Sequence, residues 1–466
     1  MPRLASPVFA VLALSACAGS TDTTSRKPDG GSSTLVTDVG LYATTEPGWN
    51  QELYWAVADL NGDGLPDIVV TAWQNNPAYW GSGQRNPPMP VEVFVQRADG
   101  GFEDATARLF GGDVLAYAQQ PLVPDLNRDG VNDIVVPGFS DAPAIAAPGM
   151  ALISTNGMFG KKDLLPEMWV HGAASADVNG DGCTDVVTGD NRVGYFRGDC
   201  AGGVSATTYA DNGPAWVVGV SACVADLNGD GHVDLLLLDA HTSEPIPLQD
   251  IVAYEMDWSA TPPIPTAIHR LPVPVWDRGN TGAMRSHDQR CAIGDLNRDG
   301  KPDVLVSSML WATDGVSWKE QSKIQVYLNQ GDWSFDDISD RAFPGRSDLT
   351  SSSMMVFLRD LNGDGILDLY YPAASWAERQ ANQVWLGNGD GTFHEATGID
   401  FDAQLAAAHN ALKARGLSIM ASYIPPVIPV PRADGRYDFV IPVMTMDATA
   451  RISVYLEEVR IGWVFK

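Results

Sequence analysis

The sequence predicts an all-β fold, a seven-bladed β-propeller of four-stranded antiparallel blades. Three observations carry that expectation. A nine-residue acidic string recurs six times along 466 residues, each copy is flanked by short β-branched or aromatic runs, and the copies lie 49 to 69 residues apart, room for one small sheet each. Small sheets that each expose an apolar face stack radially more readily than they form separate domains.

The first copy reads Asp59-Leu60-Asn61-Gly62-Asp63-Gly64-Leu65-Pro66-Asp67 and runs into Ile68-Val69-Val70. The same positions return as Asp125, Asn127, Asp129, Val131 and Asp133; as Asp177, Asn179, Asp181, Cys183 and Asp185; and as Asp226, Asn228, Asp230, His232 and Asp234. Two further copies carry Asp295, Asn297, Asp299, Lys301 and Asp303, then Asp360, Asn362, Asp364, Ile366 and Asp368. A worn seventh copy, Arg432-Ala433-Asp434-Gly435-Arg436-Tyr437-Asp438, keeps the turn but has Val430 and Arg432 at the first and third positions.

Positions one, three, five and nine of this string offer hard oxygen side chains, and the carbonyl of position seven (Leu65, Val131, Cys183, His232, Lys301, Ile366) adds another. Glycine at position six suits a turn needing positive φ. Such a donor set fits Ca²⁺, whereas Zn²⁺ would call for His or Cys side chains. An EF-hand is excluded because position twelve is Val70, Val136, Thr188, Leu237, Val306 or Tyr371, never Glu. The competing reading is that Asp and Asn merely cap turns, but three carboxylates within nine residues repel one another unless neutralised. About six structural calcium ions are therefore expected. Arg128, Arg298 and Lys301 place positive charge inside loops two and five and are expected to weaken them.

Each unit reads as an antiparallel meander: an apolar strand into the loop, a β-branched strand out of it, then a third strand such as Val91–Val95, Ile324–Leu328 or Gln383–Leu386. A turn such as Gly389-Asp390-Gly391-Thr392-Phe393 leads into the fourth. Only Asp402 to Arg415 reads as helix. The acidic loop with its flanking strands, together with that glycine turn, resembles the FG-GAP or VCBS repeats of bacterial surface proteins, related to the integrin α propeller. The resemblance spans roughly residues 50 to 466 and implies the propeller fold; it does not specify a ligand.

Acidic residues outnumber basic ones 58 to 30, a net charge of -28, which argues against a nucleic-acid partner. Residues 1–16 read as a signal peptide, Arg3 followed by the apolar run Leu4 to Ala16. Leu14-Ser15-Ala16-Cys17 resembles the lipobox of bacterial lipoproteins, which implies lipidation of Cys17 and a membrane partner through the lipid. Residues 17–33 are small and polar and read as a flexible tether, leaving 34–466 for the propeller. Ala18 resembles the sorting signal for the outer membrane, provided the source is Gram-negative.

Four cysteines follow. If Asp185–Gly189 and Val193–Arg197 form a hairpin turning at Asp190-Asn191, Cys183 faces Cys200 and a disulfide is expected there. Cys223 and Cys291 hold equivalent places in neighbouring repeats, and their state stays open.

Tryptophans suggest a second face. Trp73, Trp80, Trp311, Trp318 and Trp376 read as loop residues between second and third strands, Trp258 as part of a long segment after the fourth copy, and Trp49, Trp169, Trp216 and Trp276 as preceding first strands. All ten are thus expected opposite the acidic loops, along with long loops at 71–90, 239–287 and 307–323. They form either a recognition surface for a glycan or surface protein or a hydrophobic plug between blades. The seven histidines are scattered and no nucleophile motif is present, so a binding, adhesion or scaffold module is expected and no enzyme. The alternative is a calcium-dependent polysaccharide-active enzyme, lyase-like, with His287, Arg285 and Arg290 as its candidates.

Overall fold

The computed structural model describes residues 38–42, 50–75, 85, 87–117, 120–139, 147–162, 166–168, 170, 172–189, 194–208, 219–239, 251–272, 286–313, 318–345, 355–372, 382–397, 399, 401–414, 418–419, 427–446 and 451–459. Residues 31–466 form one compact unit. Cys17 and the 17–33 tether lie outside the described residues.

The repeats fold as all-β blades of a propeller. The first blade is Asn50–Ala58, Asp67–Asn75, Glu92–Gln96 and Phe102–Asp104, each strand antiparallel to the next. The third is Gly172–Ala176, Asp185–Gly189, Gly194–Gly198 and Val204–Thr208. The fourth is Gly219–Ala225, Asp234–Asp239, Val252–Asp257 and Ile264–Arg270. Ser286–Gly294, Asp303–Thr313, Trp318–Gly331 and Ser334–Asp337 make the fifth. Phe357–Arg359, Asp368–Tyr371, Gln383–Gly387 and Phe393–Glu395 make the sixth.

Two expectations are corrected. Among the described residues the second blade has three strands, Ile134–Val136, Met150–Thr155 and Met158–Lys162; where a first strand was expected, those residues make only the bridge Leu122 to Val135. Proline at 121 and 124 removes backbone donors on both sides of that bridge. The number of blades on this pattern is six, not seven, one for each complete acidic loop. After them comes a five-stranded closing sheet assembled from both ends of the described chain. Asp38–Tyr42 pairs with Arg451–Val459, which pairs with Tyr437–Met446, and that strand also receives Ile428–Pro431 and Ser418–Ile419. Pairing the first strand with the last closes a ring that would otherwise expose two sheet edges.

The strands leaving the acidic loops read as continuous apolar runs because both faces of each sheet are covered. Ile68 and Val70 pack with Phe439 and Val440 of the closing sheet, while Val69 between them packs with Ile134 and Leu152 of the second blade. Leu235 and Leu237 join Val187 and Tyr195, whereas Leu236 and Leu238 join Val304 and Val306. Alternate side chains of one strand thus enter opposite blade interfaces. The expected helix, Phe401–Ala414, packs Phe401 against Phe439 at 5.3 Å between ring centroids, and a short second helix, Thr106–Phe110, corrects the expectation of a single one.

Cys183 and Cys200 are joined by a disulfide, with Val187 opposite Tyr195 in the hairpin between them. Cys223 and Cys291 are also joined, and their bond ties the first strand of blade four to that of blade five.

Candidate metal sites

All six acidic loops take one conformation, dictated by their own short side chains. In every copy the N–H of position six donates to Oδ2 of the first aspartate, as Gly64 does to Asp59 at 2.8 Å and Gly365 to Asp360 at 2.8 Å. The N–H of position five donates to the asparagine Oδ1, and that of position seven to Oδ1 of the fifth aspartate. The sixth-position glycine holds φ between 81° and 88° in all copies, a conformation an L side chain takes only with strain.

The ninth aspartate locks the loop into the sheet. Asp67, Asp133, Asp185, Asp234, Asp303 and Asp368 are buried. Each accepts on Oδ2 from the N–H of position two, and five also accept on Oδ1 from the third strand: Gln96, Ser154, Gly198, Asn329 and Gly387. Burial pushes the carboxyls of Asp67, Asp234 and Asp368 up to about 7 and those of Asp185 and Asp303 up to about 6, and the two other aspartates of each loop add to the rise. Asp133 is raised for the same first reason.

These donors fit a hard divalent cation in kind. The Oδ1 of Asp125 is buried without a hydrogen-bond partner, and the ninth carboxylates can ionise at neutral pH only against both burial and like charge. Among the described residues, however, no three Asp, Glu, His or Cys side chains are drawn into one coordination shell; the loop carboxylates turn instead to the backbone N–H groups around them. Some of these oxygens accept more than once: Asp59 Oδ1 takes the N–H groups of Asn61, Gly62 and Asp63.

The flanking sheet is part of the site. Residues 59–136, 177–237 and 295–371, each starting at a first-position aspartate, match the FG-GAP-like repeat family. The chain carries FG-GAP-like repeats. Among solved structures it is similar to a rhamnogalacturonan lyase of Bacillus licheniformis, at 13% identity and TM-score 0.40 over 93% of this chain and 75% of that one. It is also similar to the rhamnogalacturonan lyase YesW, at 14% identity and TM-score 0.38 over 90% and 75%. An exo-β-1,3-galactanase of Clostridium thermocellum matches at 9% identity and TM-score 0.33 over 93% and 87%. Similarity at these scores carries no inference about reaction or ligand. No curated protein matches the chain.

Positive charge reaches the FG-GAP-like loops by two routes, one from within the loop and one from the neighbouring strand. Arg128 and Arg298 hold position four at positive φ, 59° and 63°. The Arg128 Nη1 lies 3.7 Å from Cys200 Sγ, and the stem of Arg298 lies over Gly389 of the next blade. Lys301 does pair with Asp299, Nζ to Oδ2 at 2.9 Å. Arg197, on the third strand of its blade, grips Asp181 Oδ2 with Nε at 3.1 Å and Nη2 at 2.9 Å. Partial burial works against ionisation of Asp181, but the Cys183 N–H and Arg197 outweigh it and hold its pKa low. In Asp299 the Lys301 ammonium overcomes the same penalty.

Of the ten tryptophans expected on the opposite face, six lie outside the described residues, three lie in strands leading away from the acidic loops, and Trp258 is on the acidic-loop side. Trp73 is in the strand Asp67–Asn75, edge-on to Phe139 at 5.2 Å. Trp311 and Trp318 are strand residues too, because the hairpin continues through what reads as a loop at 307–323. Trp258 is buried on the acidic-loop side and donates to the Val233 carbonyl at 2.6 Å; the segment 239–287 contains two strands of blade four. Trp49, Trp80, Trp169, Trp216, Trp276, Trp376 and Arg285 lie outside the described residues. Arg290 is buried, which removes it from any exposed catalytic surface.

The ninth position yields a direct test. Asp368→Ala removes the acceptor for two buried N–H groups, those of Leu361 and Gly387. It is expected to destabilise the protein by about 3 kcal/mol in chelator as well as in calcium. Denaturant unfolding under both conditions measures this, and a loss confined to the calcium arm would show that the residue serves the metal alone.

Proposed function

We propose that the protein is an exported, lipid-anchored, calcium-stabilised propeller that acts as a binding or adhesion module at the cell envelope. Cys17 would carry the lipid, and the 17–33 stretch would hold the propeller off the membrane. Calcium would be held by the aspartates and asparagine of positions one, three, five and nine and the carbonyl of position seven. Bound there, it would supply the positive charge that three clustered carboxylates require, and the ligand would be met elsewhere.

The observation that best supports a recognition face opposite the loops is the blade-five hairpin. Among the described residues its second and third strands make ten cross-strand pairs, Val304–Tyr327 to Thr313–Trp318, where those of the other five blades make three. The extra pairs carry the ribbon away from the acidic loops. Trp311 pairs with Glu320 and Thr313 with Trp318, so positions 311 and 318 fall on the same face of the ribbon by register. A projecting strand pair with two aromatic positions suits a glycan or a protein surface.

The test is a binding screen of polysaccharides and envelope proteins against the calcium-loaded chain. Trp311→Ala with Trp318→Ala is expected to weaken the ligand found by at least about tenfold with an unchanged melting temperature. Undiminished binding by that variant would remove the hairpin from the recognition surface.

A further inference from the structure

The six loops share a backbone, but the donors to Oδ2 of the fifth-position aspartate differ among them. In loops one, two, four and six, Oδ2 of the fifth-position aspartate accepts from the amide of the third-position asparagine: Asn61 to Asp63 at 3.1 Å, Asn127 to Asp129 at 3.0 Å, Asn228 to Asp230 at 3.0 Å and Asn362 to Asp364 at 2.9 Å. In loop three the same oxygen accepts from Arg197 and in loop five from Lys301. In loop three the Asn179 amide also donates to the Tyr195 hydroxyl at 2.8 Å.

The cation in loop three comes from a defined register place. Arg197 follows Phe196, which pairs with Val186 directly after the ninth aspartate. By the same pairing, that place holds Val95, Ile153, Glu255, Leu328 and Leu386 in the other blades. Only blade three puts a base there, and blade four puts an acid. The cation in loop five comes from position seven, where the other copies carry Leu65, Val131, Cys183, His232 and Ile366.

The worn seventh copy shows where such a replacement leads. Having lost its first and third ligand types, it pairs Asp434 with Arg436 at 2.6 Å and Asp438 with Arg432 at 3.2 Å, and it still forms the turn, with Gly435 at φ 84°. Arginine there stabilises clustered carboxylates without any metal donor set.

We propose that loops three and five carry their own counter-ion, Arg197 and Lys301, and keep their shape without a divalent cation, so that the tight calcium sites are loops one, two, four and six. This inference rests on the calcium reading above and divides its sites into two classes. A divalent ion entering loop three or five must displace a formed ion pair and sit beside the cation that made it.

Counting calcium per chain by native mass spectrometry and calorimetry, on the full chain with both disulfides formed, tests it. Four tightly held ions are expected. Arg197→Met and Lys301→Met should each add one, and the double variant should hold six, each gained site binding at least about tenfold tighter than the same loop does in the parent. The two substitutions lie in different blades, so either alone suffices if the other impairs folding. More than four tight ions in the parent, or four still in a folded variant, overturns the division while leaving the calcium reading intact. No calcium bound by any of them overturns both.

Discussion

Removing calcium is expected to lower the melting temperature of this protein by roughly 10 °C or more at pH 8, with a loss that shrinks as the pH falls toward 4. One site filled at a thousand times its dissociation constant adds about 4 kcal/mol, and several sites act together. The pH dependence comes from the ninth-position aspartates. Their carboxyls, raised to about 7 in Asp67, Asp234 and Asp368 and about 6 in Asp185 and Asp303, bind protons in the folded state that the unfolded chain has already released. A raised folded pKa gives stability that is complete below about 4 and is lost as the pH climbs through about 6 to 7. Metal-free protein is therefore expected to become less stable from pH 4 to 7 and to level off above. Calcium favours the ionised form and should flatten that slope. Melting curves of metal-free and calcium-loaded protein across this range decide it; parallel profiles would remove the metal from the loops. Asp181 and Asp299, whose pKa values are lowered, lose their contribution only as the pH falls below the usual carboxylate range, so they do not mask the effect.

The second large effect is expected from the Cys223–Cys291 disulfide. It closes a span of 68 residues and joins two inner strands whose partners, Leu236 and Val306, sit in one core cluster. On the chain-entropy estimate, opening a loop of that length costs about 4 kcal/mol, against about 3 kcal/mol for the 17-residue span of Cys183–Cys200. Cys223→Ala with Cys291→Ala should therefore lower the urea midpoint more than Cys183→Ala with Cys200→Ala does. The reverse order would mean that the docking of blades four and five rests on packing between Leu236, Leu238, Val304 and Val306 and not on the covalent tie.

The local parts of this architecture were legible because their causes are local. An aspartate that caps its own turn, a glycine at positive φ and a β-branched run after it need no distant partner, so each loop and the strand leaving it could be read from nine to twelve residues. The register of the Asp185–Gly189 hairpin was legible for the same reason: a short turn leaves one pairing that keeps Val186 and Val187 in the sheet. Trp311 and Trp318 were read as loop residues because the β-branched pattern stops at Val306, yet the ribbon continues on paired backbone alone.

By itself the sequence determined that the chain would fold as repeated antiparallel sheets, each opened by an acidic loop with hard oxygen donors, and that the chain would be strongly anionic. The tertiary structure alone decided how many blades follow the repeat pattern, how both ends of the described chain share the closing sheet, and that Cys223 meets Cys291. It also decided that loop three receives a cation. Arg197 lies sixteen residues from the aspartate it neutralises, and nothing in the loop announces it; strand pairing delivers the guanidinium. The acidic loop is thus a property of nine consecutive residues, while its charge balance belongs to the sheet around it.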